Sequence, residues 1–224
     1  MKLPPARATI AIVVANAAVW LLIQMGGLGE VAAWSLGFIP RRMSDASIDQ
    51  AILDLAAGSG HPHLVLVPAW LTPLTAAFTQ LDFVHLAFNL VIVGFCGRFV
   101  ELGLGSKGFV TLYLVGALAA AAAHYLSMPQ SLVPAIGASG AGSAVIAAYA
   151  LLYGSPRKIT ANRRVNRLLN IVWLAAAWIG LQLLIAYANT AVEGLSIAFM
   201  AHIGGFVAGL LLARPLLLLR YRNA

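Results

Sequence analysis

Six stretches of this chain, about 8–25, 84–99, 108–127, 139–153, 168–187 and 198–219, are apolar almost throughout and carry charge only at Arg98 and Arg214. A bilayer span needs about 20 such residues, with a range of roughly 17–25. The second and fourth runs are short, so they start below the membrane surface or tilt little. Lipid offers no partner to backbone N–H and C=O groups, so each run must be a helix. Of the 224 residues, 61% are hydrophobic and 9% charged. A soluble domain carries roughly 25% charged residues. The expected fold is therefore an all-α membrane bundle of six transmembrane helices, one domain over 1–224, without a β-sheet.

The first run also has features of a secretory leader. Lys2 and Arg7 form a basic start, and Ala15-Asn16-Ala17 resembles a small-residue cleavage site. The apolar stretch continues through Trp20, Leu21, Leu22 and Ile23, long enough to span, so a retained helix is expected. Cys96 is the single cysteine, which excludes an intrachain disulfide and reads as packing.

Basic residues orient such a chain. With six spans and the N-terminus inside, 12 of the 14 Lys and Arg fall inside, leaving only Arg41 and Arg42 outside. All acids except Glu101 then lie outside or at the outer edge. Membrane topology thus accounts for the net charge of +7 without nucleic-acid binding. The Arg157–Arg167 region reads as an inner-face anchor beside anionic lipid.

In this N-in, C-in arrangement the second, fourth and sixth runs all enter from the outer face. His85, Ser139 and His202 then fall at similar depth in one leaflet, with His202 roughly 6–9 Å below the edge of its helix. Polar side chains at that depth are costly and mark functional sites by default. Small residues indicate which helices touch. Ala201, Gly205 and Gly209 form one ridge at spacing four, and Gly140, Ala144 and Ala148 form another. Such ridges permit close backbone approach, which would bring the Ser139 hydroxyl within reach of the His202 ring.

A serine beside a histidine is a nucleophile with its general base. No acid lies on the sixth run near His202, the nearest in sequence being Glu193, and Asp82 sits near His85 instead. A dyad is therefore expected, with the histidine oriented by packing or by water. His85 and Asn89, at i and i+4, share one helix face. Together with the Ser139 backbone N–H they offer donors for an oxyanion, although such a pair standing alone would also serve as an interhelical hydrogen bond.

His85-x-x-x-Asn89, Gly137-x-Ser139-Gly140 and Ala201-His202-x-Gly204-Gly205, in this order in a six-span bundle, resemble the rhomboid intramembrane serine proteases. Gly97-Arg98-x-x-Glu101 with Gly105 is similar to that family too. The resemblance covers roughly residues 70–212. It implies a single rhomboid membrane domain that cleaves single-span membrane proteins within or near the bilayer. It implies Ser139 as nucleophile, His202 as base and an oxyanion hole of His85, Asn89 and the Ser139 amide, with no metal or organic cofactor. Gly137, Gly140, Gly205 and Gly209 are expected to support helix packing.

The chain departs from the family pattern in two places. The comparable first-loop stretch reads Pro68-Ala69-Trp70-Leu71-Thr72, without the arginine of the usual Trp-Arg pair. Ser143 stands where many members carry an aromatic that packs on the catalytic imidazole. Another side chain must then hold the His202 ring, and reduced turnover is the expected cost.

Other signals lead elsewhere. The connection 26–70 contains Trp34, Ile48, Ile52, Leu53 and Leu55 and resembles the partly embedded first loop of rhomboids; a surface amphipathic helix at 44–57 would serve equally. His61-Pro62-His63 offers two imidazoles without further metal ligands. His124 reads as a packed or interfacial histidine. Gly137-x-Ser139-x-Ala141 lacks the strand a hydrolase nucleophile elbow needs. The expectation is a serine endopeptidase of the plasma or inner membrane, with its site toward the outer side. A catalytically silent relative that binds membrane proteins, a lipid hydrolase or acyltransferase using the same dyad, and a small transporter remain as alternatives.

Overall fold

Eight α-helices follow one another in the computed structural model, which describes residues 6–80, 82–154, 159–189 and 199–222. They are α1 (Arg7–Met25), α2 (Gly29–Leu36), α3 (Ser47–Gly58), the single turn α4 (Thr72–Thr75), α5 (Phe83–Ser127), α6 (Ser139–Tyr153), α7 (Arg163–Asn189) and α8 (Phe199–Arg220). Among the described residues the extended pairing is one isolated antiparallel bridge, Phe38 with Ala135. Lys2, Arg157, Lys158 and Glu193 lie outside the described residues.

The second and third apolar runs are two arms of α5, broken at Gly105, where φ is 75° and ψ 163°. A residue with a side chain enters that backbone region only under strain, whereas glycine occupies it freely. The arms fold back on each other. Phe109 packs on Gly97, and the Tyr113 hydroxyl donates to the Ala77 carbonyl ahead of the first arm, at 3.0 Å.

Glu101 locks this turn to the start of α1. Its carboxylate accepts from the Ala8 N–H at 3.0 Å, the Thr9 N–H at 2.8 Å, the Thr9 hydroxyl at 2.7 Å and the Ser106 hydroxyl at 2.6 Å. The first N–H groups of a helix have no intrahelical acceptor and carry partial positive charge. A buried carboxylate there meets both needs, and Glu101 is only 5% exposed.

The first arm of α5, α6 and α8 run in one direction. At their far ends the Tyr153 hydroxyl donates to the Phe99 carbonyl at 2.7 Å, and the Arg220 guanidinium donates to the Leu102 carbonyl. Their starts must therefore converge at the opposite end. Small residues fill the space between them: Ala141, Ala144, Ala147 and Ala148 of α6 are all buried. Large apolar side chains such as Val14, Leu22, Val91, Phe95 and Leu211 face outward. Among the described residues three helices, α1, α5 and α8, are long and apolar enough to cross a membrane, and α6 is a shorter apolar helix.

The connection 26–70 is ordered rather than extended. Its helix α3 begins three residues later than the expected 44–57 segment. Behind it the buried Arg42 guanidinium bonds Asp49 at 2.6 Å and the Val67 carbonyl at 2.9 Å. Helix α7 starts five residues before the apolar run expected at 168. Asn162 explains the difference, because its side chain accepts from the N–H groups of Arg164 at 2.9 Å and Val165 at 3.4 Å and caps a helix that begins among arginines.

Candidate active site

Ser139 is the first residue of α6, and its position follows from the turn ahead of it. Gly137 has φ 122°, and its N–H donates to the Ala76 carbonyl at 2.9 Å. A β-carbon at Gly137 would lie 2.8 Å from His85 Nε2 and 3.6 Å from Ser139 Oγ. The histidine ring and the serine hydroxyl thus flank one small volume that only a residue without a side chain leaves open. The Ser139 N–H is among those that a helix start leaves without an intrahelical acceptor. It belongs to the positive end of the α6 dipole.

His202 is the fourth residue of α8, 7% exposed. Its Nε2 lies 2.8 Å from Ser139 Oγ. The contact exists because the two ridges interlock: Gly205 lies against the Gly140 carbonyl and Gly209 against the Ala144 backbone. The second arm of α5 joins the same close packing, since Gly116 faces Ala144 and Gly140 faces Ala120. His202 Nδ1 is buried and has no hydrogen-bond partner among the described residues. A serine hydroxyl held this way can pass its proton to the imidazole as it attacks a carbonyl.

His85 and Asn89 lie on successive turns at the start of α5. Asp82 fixes that start, its side chain accepting from the His85 N–H at 2.8 Å. Asn89 is buried and its amide donates to Gln80 Oε1 at 2.8 Å. Gln80 in turn donates to Asn16 Oδ1 at 2.7 Å, and the Asn16 amide reaches the Ile12 carbonyl at 3.0 Å and the Tyr113 hydroxyl at 3.4 Å. This buried polar chain from Asn89 across to α1 was not foreseen. A visible sign existed, because Asn16 puts a primary amide in the middle of the first apolar run, where an unpaired amide is costly.

Trp178 was missed as well. Its ring sits edge-on to His202, centroids 6.3 Å apart at 70°, and its Nε1 donates to Ser143 Oγ at 2.8 Å. No spacing rule links residues 178 and 202, so the sequence held no signal for the pair. The remaining histidines lie apart. His61 and His63 are exposed beyond α3, and His124 is buried with its ring 6.4 Å from Phe38.

Comparison with known proteins then decides the family: the rhomboid domain family model matches residues 68–219. The chain belongs to the rhomboid family. A relative described as "Rhomboid protease GlpG", from Yersinia enterocolitica serotype O:8 / biotype 1B (strain NCTC 13174 / 8081), is 24% identical over 209 residues. That match covers 92% of this chain, and the chain spans 61% of the relative's length. As a rhomboid with these long apolar helices, the chain is a multi-pass membrane protein. The rhomboid match begins just ahead of α4 and contains all the segments that bear His85, Asn89, Ser139 and His202, leaving α1 to α3 outside it.

Proposed function

We propose that this rhomboid is an intramembrane serine endopeptidase working through a Ser139–His202 dyad. The observation that carries the reading is the 2.8 Å contact between Ser139 Oγ and His202 Nε2. His202 takes the hydroxyl proton as Ser139 attacks the scissile carbonyl. In this reading the tetrahedral oxyanion collects the Ser139 N–H, the His85 ring and the Asn89 amide, donors of the kind that stabilise developing charge. The protonated imidazole then gives its proton to the leaving amine, and water resolves the acyl-enzyme by the same steps in reverse. No metal or organic cofactor enters this scheme.

A helical substrate hides its carbonyls in i→i−4 hydrogen bonds. Cleavage therefore falls near small or helix-breaking residues at the outer end of a single-span protein, where the helix unwinds most readily. The charge distribution supports six spans, N- and C-termini inside, and a site opening to the outer face of the plasma or inner membrane.

Two measurements test the reading. A fluorophosphonate probe labels wild type and fails on Ser139→Ala. A tagged single-span peptide is cut by wild type and not by Ser139→Ala or His202→Ala. Folded wild type that neither labels nor cuts would identify a silent membrane-protein-binding relative. Labelling without peptide cleavage would move the assignment to a lipid hydrolase or acyltransferase.

A further inference from the structure

We propose that Trp178 is a positioning residue for His202, doing from α7 what an aromatic on α6 would otherwise do. The proposal rests on the dyad reading above and names what holds the base in register.

A single hydrogen bond leaves an imidazole able to tilt about it. In a triad the second nitrogen is tied to a carboxylate, which fixes the ring. Here Nε2 meets Ser139 at 2.8 Å while Nδ1 is buried with no partner among the described residues. Packing must then fix the ring plane. The Trp178 indole does so edge-on, 6.3 Å between centroids, within the 4.5–7 Å range of favourable aromatic pairs.

Trp178 is itself immobilised. It is 7% exposed, and its Nε1 donates to Ser143 Oγ at 2.8 Å. The Ser143 hydroxyl donates onward to the Ser139 carbonyl at 2.8 Å. The contacts close on themselves: nucleophile to base, base to indole, indole to Ser143, Ser143 to the nucleophile's own carbonyl. A shift of the indole is therefore transmitted to both members of the dyad.

The size of Ser143 is part of the arrangement. It is fully buried directly against the indole nitrogen, so an aromatic at 143 and one at 178 compete for one volume. Among its described residues α7 exposes Leu168, Val172 and Trp173 and buries Trp178 against Ala147 of α6 and Phe206 of α8.

The test uses the full chain in liposomes with a tagged single-span peptide, with fluorophosphonate labelling and thermal melting in parallel. W178A should lower kcat and the labelling rate by the same factor, about 10- to 100-fold, the scale of a small misplacement of reacting groups. KM should stay within about twofold, because the indole touches the base rather than the bound peptide. W178F should retain most of the rate. The swap S143F/W178A, which moves the aromatic to α6 at similar total volume, should recover much of the loss. Should W178A fail to fold, W178L replaces it, keeping bulk without a ring. Wild-type kcat in folded W178A or W178L overturns the proposal. So does a loss that neither W178F nor the swap relieves. Ser139→Ala serves as the independent control: if it still cuts, the dyad reading fails, whatever Trp178 does.

Discussion

Gly205 of α8 lies against the main-chain carbonyl of Gly140, one residue after the candidate nucleophile, closer than any side chain permits. Three residues separate Gly205 from His202, just under one helical turn. The depth at which α8 seats on α6 therefore sets the reach of the imidazole to Ser139. Packing and chemistry are the same contact viewed at two positions.

Gly205→Ala should push α8 outward. A β-carbon there would be 2.9 Å from the Gly140 carbonyl carbon and 3.4 Å from Ser143 Cβ. Backbone cannot yield as a flexible side chain does, so a loss of about 1–3 kcal/mol is expected from overpacking. Fluorophosphonate labelling should fall further than the folded fraction does. Equal losses in both would break the link between ridge and dyad.

Gly137→Ala combines two costs. The φ of 122° is hostile to alanine, and its methyl would meet His85 Cε1 at 2.5 Å and Nε2 at 2.8 Å. Backbone strain alone is about 1–3 kcal/mol. The variant should melt earlier and hydrolyse the peptide slowly. Unchanged turnover would show that the His85 ring need not occupy its present place.

Asn89→Ala should lower kcat about 10²–10³-fold with little change in KM, as loss of one oxyanion donor does. Gln80→Leu probes the support behind it. That change strands the Asn89 Nδ2 donor and the Asn16 Oδ1 acceptor, and leaving a buried polar group unsatisfied costs about 1–3 kcal/mol. Thermal melting should register it clearly, with a smaller drop in kcat than for Asn89→Ala. A fully stable, fully active Gln80→Leu would remove the chain from any role.

Glu101→Ala is the contrasting case. Its carboxylate takes four hydrogen bonds at the end of the bundle away from Ser139, and a hydrogen bond to a charged group is worth about 1.5–3 kcal/mol. Stability should drop by at least that much while cleavage per folded molecule is retained. A selective loss of kcat at full stability would refute the purely structural assignment.

Much of the fold could be read from residues alone. The fourth apolar run and α6 share their limits, Ser139 and Tyr153, because a positive-φ glycine precedes it and Gly154 follows. The sixth run differs from α8 by one residue at each end. Where reading by hydrophobicity went astray, the cause is physical. Arginines end an apolar run but not a helix, so α7 extends back to its Asn162 cap. The two apolar runs 84–99 and 108–127 correspond to the two arms that reverse at Gly105, a break that hydrophobicity alone does not place.

Sequence by itself determined the helices and which polar residues stand at their starts as candidates for a site, since helical rise and the cost of polarity in lipid act along one chain. Only the tertiary structure decided that α7 supplies the aromatic against His202 and that Gln80 and Asn16 stand behind Asn89. Those contacts depend on how each helix is rotated about its axis and which neighbour it meets. Side-chain volumes summed over several helices settle that, and no spacing within one helix records it.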